Sequence, residues 1–166
     1  DTLLGFGKRD FQEDEIPECV SVISNIKVEG KKIGSLGDGE CFWHSDSCFT
    51  DTPPSASTLY SVEIPEDGGN TAFLDMFDAL DTLPAETRER IDNLSIRHSQ
   101  VYDSTGGKRS AFDEVEDVTK NPGPVHPIVR TIPETGRKVL YLGRRMSAYI
   151  PGLDVDESEE LLDTLW

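Results

Sequence analysis

The chain has 166 residues, 36% hydrophobic and 29% charged, a mix that suits one folded domain with a real core rather than a disordered tract. Its net charge of −16 argues against binding nucleic acid or an anionic membrane through a general field, because neutralising phosphate needs Lys and Arg. No apolar run is long enough to span a bilayer, and Asp1-Thr2-Leu3-Leu4 lacks the basic leader and apolar core of a signal peptide.

Residues 1–18 mix charge and glycine and read as a loop, or as the tail of something that began earlier. Cys19-Val20-Ser21-Val22-Ile23-Ser24 is short and β-branched, which predicts a strand. Gly30, Gly34, Gly37 and Gly39 break the next stretch into turns, leaving room for a short strand at Lys31-Lys32-Ile33. Ser57 to Ile64 alternates as a strand does, and Pro65 to Gly69 reads as a turn. Asp75 is placed to cap a helix carrying Met76, Phe77, Ala79 and Leu80. Pro84 suits the first turn of a second helix running through Thr87 to Ile91.

Ser95 to Tyr102 reads as a further strand, and the polar stretch Ser104 to Gly123 as a surface loop. Pro127 to Ile132 and Lys138 to Leu142 flank Pro133-Glu134-Thr135-Gly136, the signature of a hairpin. Ser147 to Ile150 adds one extended piece. A last helix, capped by Asp156, carries Leu161, Leu162 and Leu165 on one side. Many strands with a few short helices indicate a mainly-β, or α+β, chain built on a jelly-roll-like pair of sheets.

Chemistry concentrates at Phe42-Trp43-His44-Ser45-Asp46. In extended chain, residues two apart share a face, so His44 and Asp46 project together while Ser45 points away. One imidazole and one carboxylate are two-thirds of the 2-His-1-carboxylate facial triad of a non-haem Fe(II) centre. By itself the pair is a common coincidence. A zinc site through Cys41, His44, Asp46 and Cys48 competes, but the spacing is not that of a finger or ribbon. The odd cysteine count, Cys19, Cys41 and Cys48, supports no disulfide framework and points to a reducing cytoplasm.

The order of pieces is more specific than the pair. Trp43-His44-Ser45-Asp46, Pro53-Pro54, Leu59-Tyr60, Gly68-Gly69-Asn70-Thr71 and the helix from Asp75 follow one another. His126-Pro127-Ile128-Val129-Arg130 and Glu134-Thr135-Gly136-Arg137-Lys138-Val139-Leu140-Tyr141 come next. This sequence resembles the taurine/2,4-dichlorophenoxyacetate dioxygenase family of Fe(II)- and 2-oxoglutarate-dependent oxygenases, from about Cys19 to the C-terminus.

The resemblance implies a double-stranded β-helix, or jelly roll, incomplete in this chain, with residues 1–166 forming a single partial oxygenase domain. It implies His44 and Asp46 as metal ligands, and Thr71 as the residue that meets the side carboxylate of 2-oxoglutarate. The implied reaction, with Fe(II) and with 2-oxoglutarate and O₂ as co-substrates, hydroxylates or desaturates a small polar molecule and releases succinate and CO₂. The family's third ligand, a His, and its co-substrate Arg would fall beyond Trp166, so the chain is expected to be truncated at both ends and inactive alone.

His98 and His126 are expected at the surface or behind the ligands. Arg130, Arg137, Arg144 and Arg145 are expected as solvated charges or salt-bridge partners. Taurine-using members carry an Asn where this chain has Glu40, and a Glu would repel a sulfonate. The expected substrate therefore presents an amine or a neutral polar group to Glu40. Expected partners are this small molecule and, as an option the sequence leaves open, further copies of the chain. A different class of reading is a non-catalytic jelly-roll binding module without competent iron.

Overall fold

Two units make up the chain in its computed structural model, residues 1–41 and 42–166. The structure describes residues 20–36, 42–103 and 105–166. Its architecture is mainly β with short helices: eight short strands, three α-helices and a 3-10 turn at Val118–Lys120 among the described residues. No helix among them is long and apolar enough to cross a membrane.

In the first unit, β1 (Ile23–Ser24) runs parallel to β4 (Ser35–Leu36). Between them, β2 (Lys27–Val28) and β3 (Lys31–Lys32) form an antiparallel hairpin. Its turn is Glu29 (φ 50°) and Gly30 (φ 80°). Two successive positive φ values give the turn the twist of its flanking strands, and glycine supplies the second at no steric cost.

The second unit begins with a partly buried segment through Thr50, continues as a long, mostly exposed stretch, and reaches its first helix at α1 (Met76–Thr82). Asp75 caps α1 as expected: its carboxylate accepts the Phe77 and Asp78 N–H groups at 2.8 and 3.3 Å. Pro84 precedes α2 (Ala85–Ile91). β5 (Ser95–Arg97) then pairs antiparallel with β6 (Val125–Pro127), Ile96 opposite His126. β7 (Val129–Thr131) pairs antiparallel with β8 (Lys138–Leu140), the expected hairpin. The Tyr141 N–H donates to the Ile128 carbonyl at 2.7 Å, and the Arg97 N–H to the Tyr149 carbonyl at 2.7 Å. These bonds tie the extended piece near Tyr149 to β5 and the following chain.

The core gathers Leu80, Ile91, Ile96, Ile128, Leu140 and Ile150 with Leu161, Leu162 and Leu165 of α3 (Val155–Leu165). Each fully buried aliphatic side chain contributes about 1.5–3 kcal/mol relative to exposure. Ser158, also on the inner face of α3, accepts the Ile150 N–H on its hydroxyl at 3.0 Å.

Three expectations need correction. Ser57–Ile64 is not a strand: no strand pairs with it among the described residues, and Leu59, Tyr60, Val62 and Ile64 are exposed. Alternation expresses a preference, but a strand exists only when a ladder partner takes its N–H and C=O groups. The strand expected over Ser95–Tyr102 ends at Arg97. The cap of α3 is Asp154, not Asp156, because the Asp154 carboxylate accepts the Glu157 N–H at 2.9 Å while Asp156 lies inside the first turn.

Candidate functional site

His44 sits on a single antiparallel bridge opposite Arg144, and the Ser45 N–H donates to the Gly143 carbonyl at 2.9 Å. This anchors the His-x-Asp stretch to the chain just past β8. Directly after Asp46 the chain reverses. Ser47 takes a left-handed φ of 52°, and its carbonyl accepts both the Thr50 N–H at 3.0 Å and the Thr50 hydroxyl at 2.8 Å.

The two side chains share a face. His44 Nε2 lies 3.3 Å from Asp46 Oδ1, with the imidazole largely covered and the carboxylate open to solvent. His44 Nδ1 lies 2.7 Å from the Phe42 carbonyl oxygen. A carbonyl only accepts, so Nδ1 donates to it, and Nε2 is the ring atom turned toward the carboxylate. A backbone carbonyl that fixes the tautomer in this way is the ordinary support of a metal-binding imidazole. The donor set therefore fits two coordination positions of a divalent metal. Among the described residues no three His, Cys, Asp or Glu side chains converge on one point.

Thr71 lies in the exposed stretch before α1 and forms no hydrogen bond with His44 or Asp46. Glu40, the expected substrate contact, and Cys41, a member of the competing zinc set, lie outside the described residues. Cys48 is wholly buried as a free thiol, and burial raises its pKa.

The remaining histidines are not at the surface. His98 is fully buried and His126 nearly so, and their rings pack against each other and against Tyr141 at centroid distances of 5.2–5.8 Å. His126 Nε2 lies 3.0 Å from the Thr50 carbonyl oxygen, to which it donates as the only partner able to. Both ring nitrogens of His98 lack a hydrogen-bond partner. Burial, then the charges of His126, Arg130 and Arg144, pull its pKa down to about 3, so it is neutral at ordinary pH. The signal was present in the sequence: His98 stands two residues from Ile96, on the face the strand turns inward.

The arginines divide. Arg145 behaves as expected, pairing with Glu159 and Asp163 of α3 at 2.6 Å each. Arg130 and Arg137 instead stack on the rings of Tyr141 and Phe77, at 4.6 and 4.0 Å from the centroids. Arg144 is half-buried and has no ion pair among the described residues: its Nε and Nη1 atoms are buried without a hydrogen-bond partner, and its guanidinium lies 5.0 Å from the Phe49 ring centroid. Arg109 lies over the same ring at 3.8 Å.

Comparison with known proteins adds an independent line. The family model described as taurine catabolism dioxygenase TauD, TfdA family matches residues 5–166. The chain is 34% identical over 173 residues to the (S)-phenoxypropionate/alpha-ketoglutarate-dioxygenase of Sphingobium herbicidovorans, covering 96% of this chain and 58% of that protein. It is 32% identical over 160 residues to pentalenolactone F synthase of Streptomyces arenae, covering 88% of this chain and 52% of that protein. The crystal structure of AAD-2 in complex with Mn(II) and N-oxalylglycine superposes with a TM-score of 0.56 at 37% identity, covering 75% of this chain and 49% of the other. The chain thus spans about half the length of these relatives.

Proposed function

The chain belongs to the taurine catabolism dioxygenase TauD, TfdA family, and on that premise we propose that it is part of an Fe(II)/2-oxoglutarate-dependent dioxygenase hydroxylating or desaturating a small polar molecule. Dioxygenases of this family use Fe(II), 2-oxoglutarate and O₂. Bound together, these supply the oxidation of a substrate C–H bond, with release of succinate and CO₂.

His44 and Asp46 are the proposed metal ligands. The observation that carries the reading is the 3.3 Å approach of Nε2 to the carboxylate, with Nδ1 held by the Phe42 carbonyl. His44 would present Nε2 to the ion, its ring orientation held from Nδ1 by the Phe42 carbonyl. Asp46 brings the negative charge that a divalent ion requires. Thr71 is proposed to meet the far carboxylate of 2-oxoglutarate through its hydroxyl. Glu40 is proposed to face an amine or neutral polar group of the substrate. A carboxylate on the same molecule would have to sit away from Glu40; phenoxypropionate, in the name of the Sphingobium relative, carries one.

Residues 1–166 are proposed as one partial domain of a double-stranded β-helix in a cytoplasmic enzyme. The family match over 5–166 supports the first part and the free Cys48 the second. The test is a Mn(II) titration of the full-length protein without O₂, followed by loss of the free-ion paramagnetic resonance signal. His44→Ala and Asp46→Ala are each expected to weaken binding at least about tenfold. Equal Mn(II) binding by wild type and both variants would overturn the ligand assignment. Succinate release from 2-oxoglutarate by the full-length protein tests the reaction itself.

A further inference from the structure

We propose that Arg109 and Arg144, which both contact the ring of Phe49, form a carboxylate-binding subsite beside His44; this rests on the dioxygenase reading above and names the residues that grip an acid there. Arg144 lies directly across the antiparallel bridge from His44, and cross-strand partners present their side chains to the same face. The subsite is therefore next to the proposed metal ligands.

Arg144 carries the argument. Two of its guanidinium nitrogens are buried with no partner, and neither Arg144 nor Arg109 has a carboxylate within ion-pair distance among the described residues. Acids are not scarce, since the chain has 32 of them. Elsewhere they are used: Arg90 pairs with Glu157 at 2.6 Å, and Arg145 pairs with two acids. Asp103 attracts Arg109 from beyond ion-pair distance, its Oδ1 accepting the Thr105 N–H, the Thr105 hydroxyl and the Gly107 N–H at 2.7–2.9 Å.

A buried guanidinium without acceptors is costly, and a second cation nearby adds repulsion. Arg109 registers both: burial first, then Arg144, lowers its pKa, and the opposing pull of Asp103 and Cys48 does not cancel them. An anion between the two removes both costs at once. The planar fork of donors matches a carboxylate in two parallel hydrogen bonds. The Phe49 ring keeps both guanidinium carbons close, at 3.8 and 5.0 Å from its centroid. The carboxylate comes either from the substrate or from the far end of 2-oxoglutarate.

The experiment titrates the full-length, metal-free protein by calorimetry with 2-phenoxypropionate, its neutral amide and 2-oxoglutarate. Arg144→Gln is expected to weaken one of the two acids at least tenfold and leave the amide unchanged; which acid responds identifies the source. Arg109→Gln is expected to act in the same direction. An affected 2-phenoxypropionate marks a substrate subsite, and an affected 2-oxoglutarate a co-substrate subsite. Acids that bind no tighter than the amide, or bind equally to wild type and Arg144→Gln, overturn the proposal.

A second measurement needs no variant. Modification of Arg109 by phenylglyoxal, read by mass spectrometry, is expected to slow at least threefold under saturating acid, while exposed Arg88 is unaffected. Equal rates at Arg109 with and without acid overturn the proposal. Mn(II) titration of the same samples separates the two readings. Acid discrimination without Mn(II) binding leaves the subsite standing and removes the metal assignment, and the opposite pattern does the reverse.

Discussion

Gly143 is a residue at which one added methyl group disturbs both the core and the candidate site. Its φ is 72°, and a Cβ there would lie 2.1 Å from His98 Nδ1 and 3.0 Å from Cys48 Cβ. His98 cannot retreat, because it is fully buried. Gly143→Ala combines left-handed strain with overpacking and is expected to cost about 2–4 kcal/mol in urea unfolding. Because the Gly143 carbonyl also anchors Ser45, Mn(II) affinity should fall with stability.

His98 makes a prediction with a definite sign. Its folded pKa, about 3, lies below the ordinary 6.5, so between these values the unfolded chain holds more protons than the folded one. Stability is then complete above about pH 6.5 and declines as pH falls toward 3, by up to about 1.4 kcal/mol per pH unit. Carboxylates add their own slope in acid. The measurement is therefore the difference between wild type and His98→Leu in urea midpoints from pH 7 to 4, and the variant should show the shallower decline. A hydropathy scale hides this residue, since it ranks every imidazole as polar whatever face carries it. The alternation through Ile96 would have found it.

At the scale of elements, local chemistry decides what can be read in advance. The β7–β8 hairpin was legible because its signal is self-contained: two short apolar-rich runs around a turn ending in Gly136, whose φ is 69°. The α1 cap was legible for the same reason, Asp75 standing directly before an apolar helical pattern. Ser57–Ile64 was not, because its fate depends on a partner that no local pattern specifies. Asp154 and Asp156 were confused because both are acids at the same helix start, and only the reach of one carboxylate to the Glu157 N–H separates them. Asp154→Ala should destabilise by about 1 kcal/mol, and Asp156→Ala by a few tenths through the helix dipole alone. Thermal unfolding of the two variants side by side makes the comparison. Equal losses would return the cap to Asp156. The His44–Asp46 convergence was readable from the period of extended chain; the Arg109–Phe49–Arg144 contact was not, because those residues meet only in space.

For the molecule as a whole, charge and exposed surface set the behaviour. The net charge of −16 makes the folded state repel itself, while its ion pairs, such as Arg88–Asp81, are exposed and individually weak. Added salt screens both, and the repulsion outweighs the pairs. Raising NaCl from about 20 to about 200 mM should therefore raise the melting temperature, read by circular dichroism. A fall would mean that the pairs, Arg145 with Glu159 and Asp163 foremost, matter more than the excess of acids.

The bare stretch from Ser57 to Ile64 has a practical consequence. It contains no proline, a single charge at Glu63, and aliphatic and aromatic side chains on the outside of the molecule. Such a segment is sticky: two copies can satisfy each other's backbone where one copy cannot. Concentrated preparations should scatter light increasingly with time, and a lysine in place of Val62 should clear them. Whoever purifies the chain will meet this loop first as cloudiness in the tube.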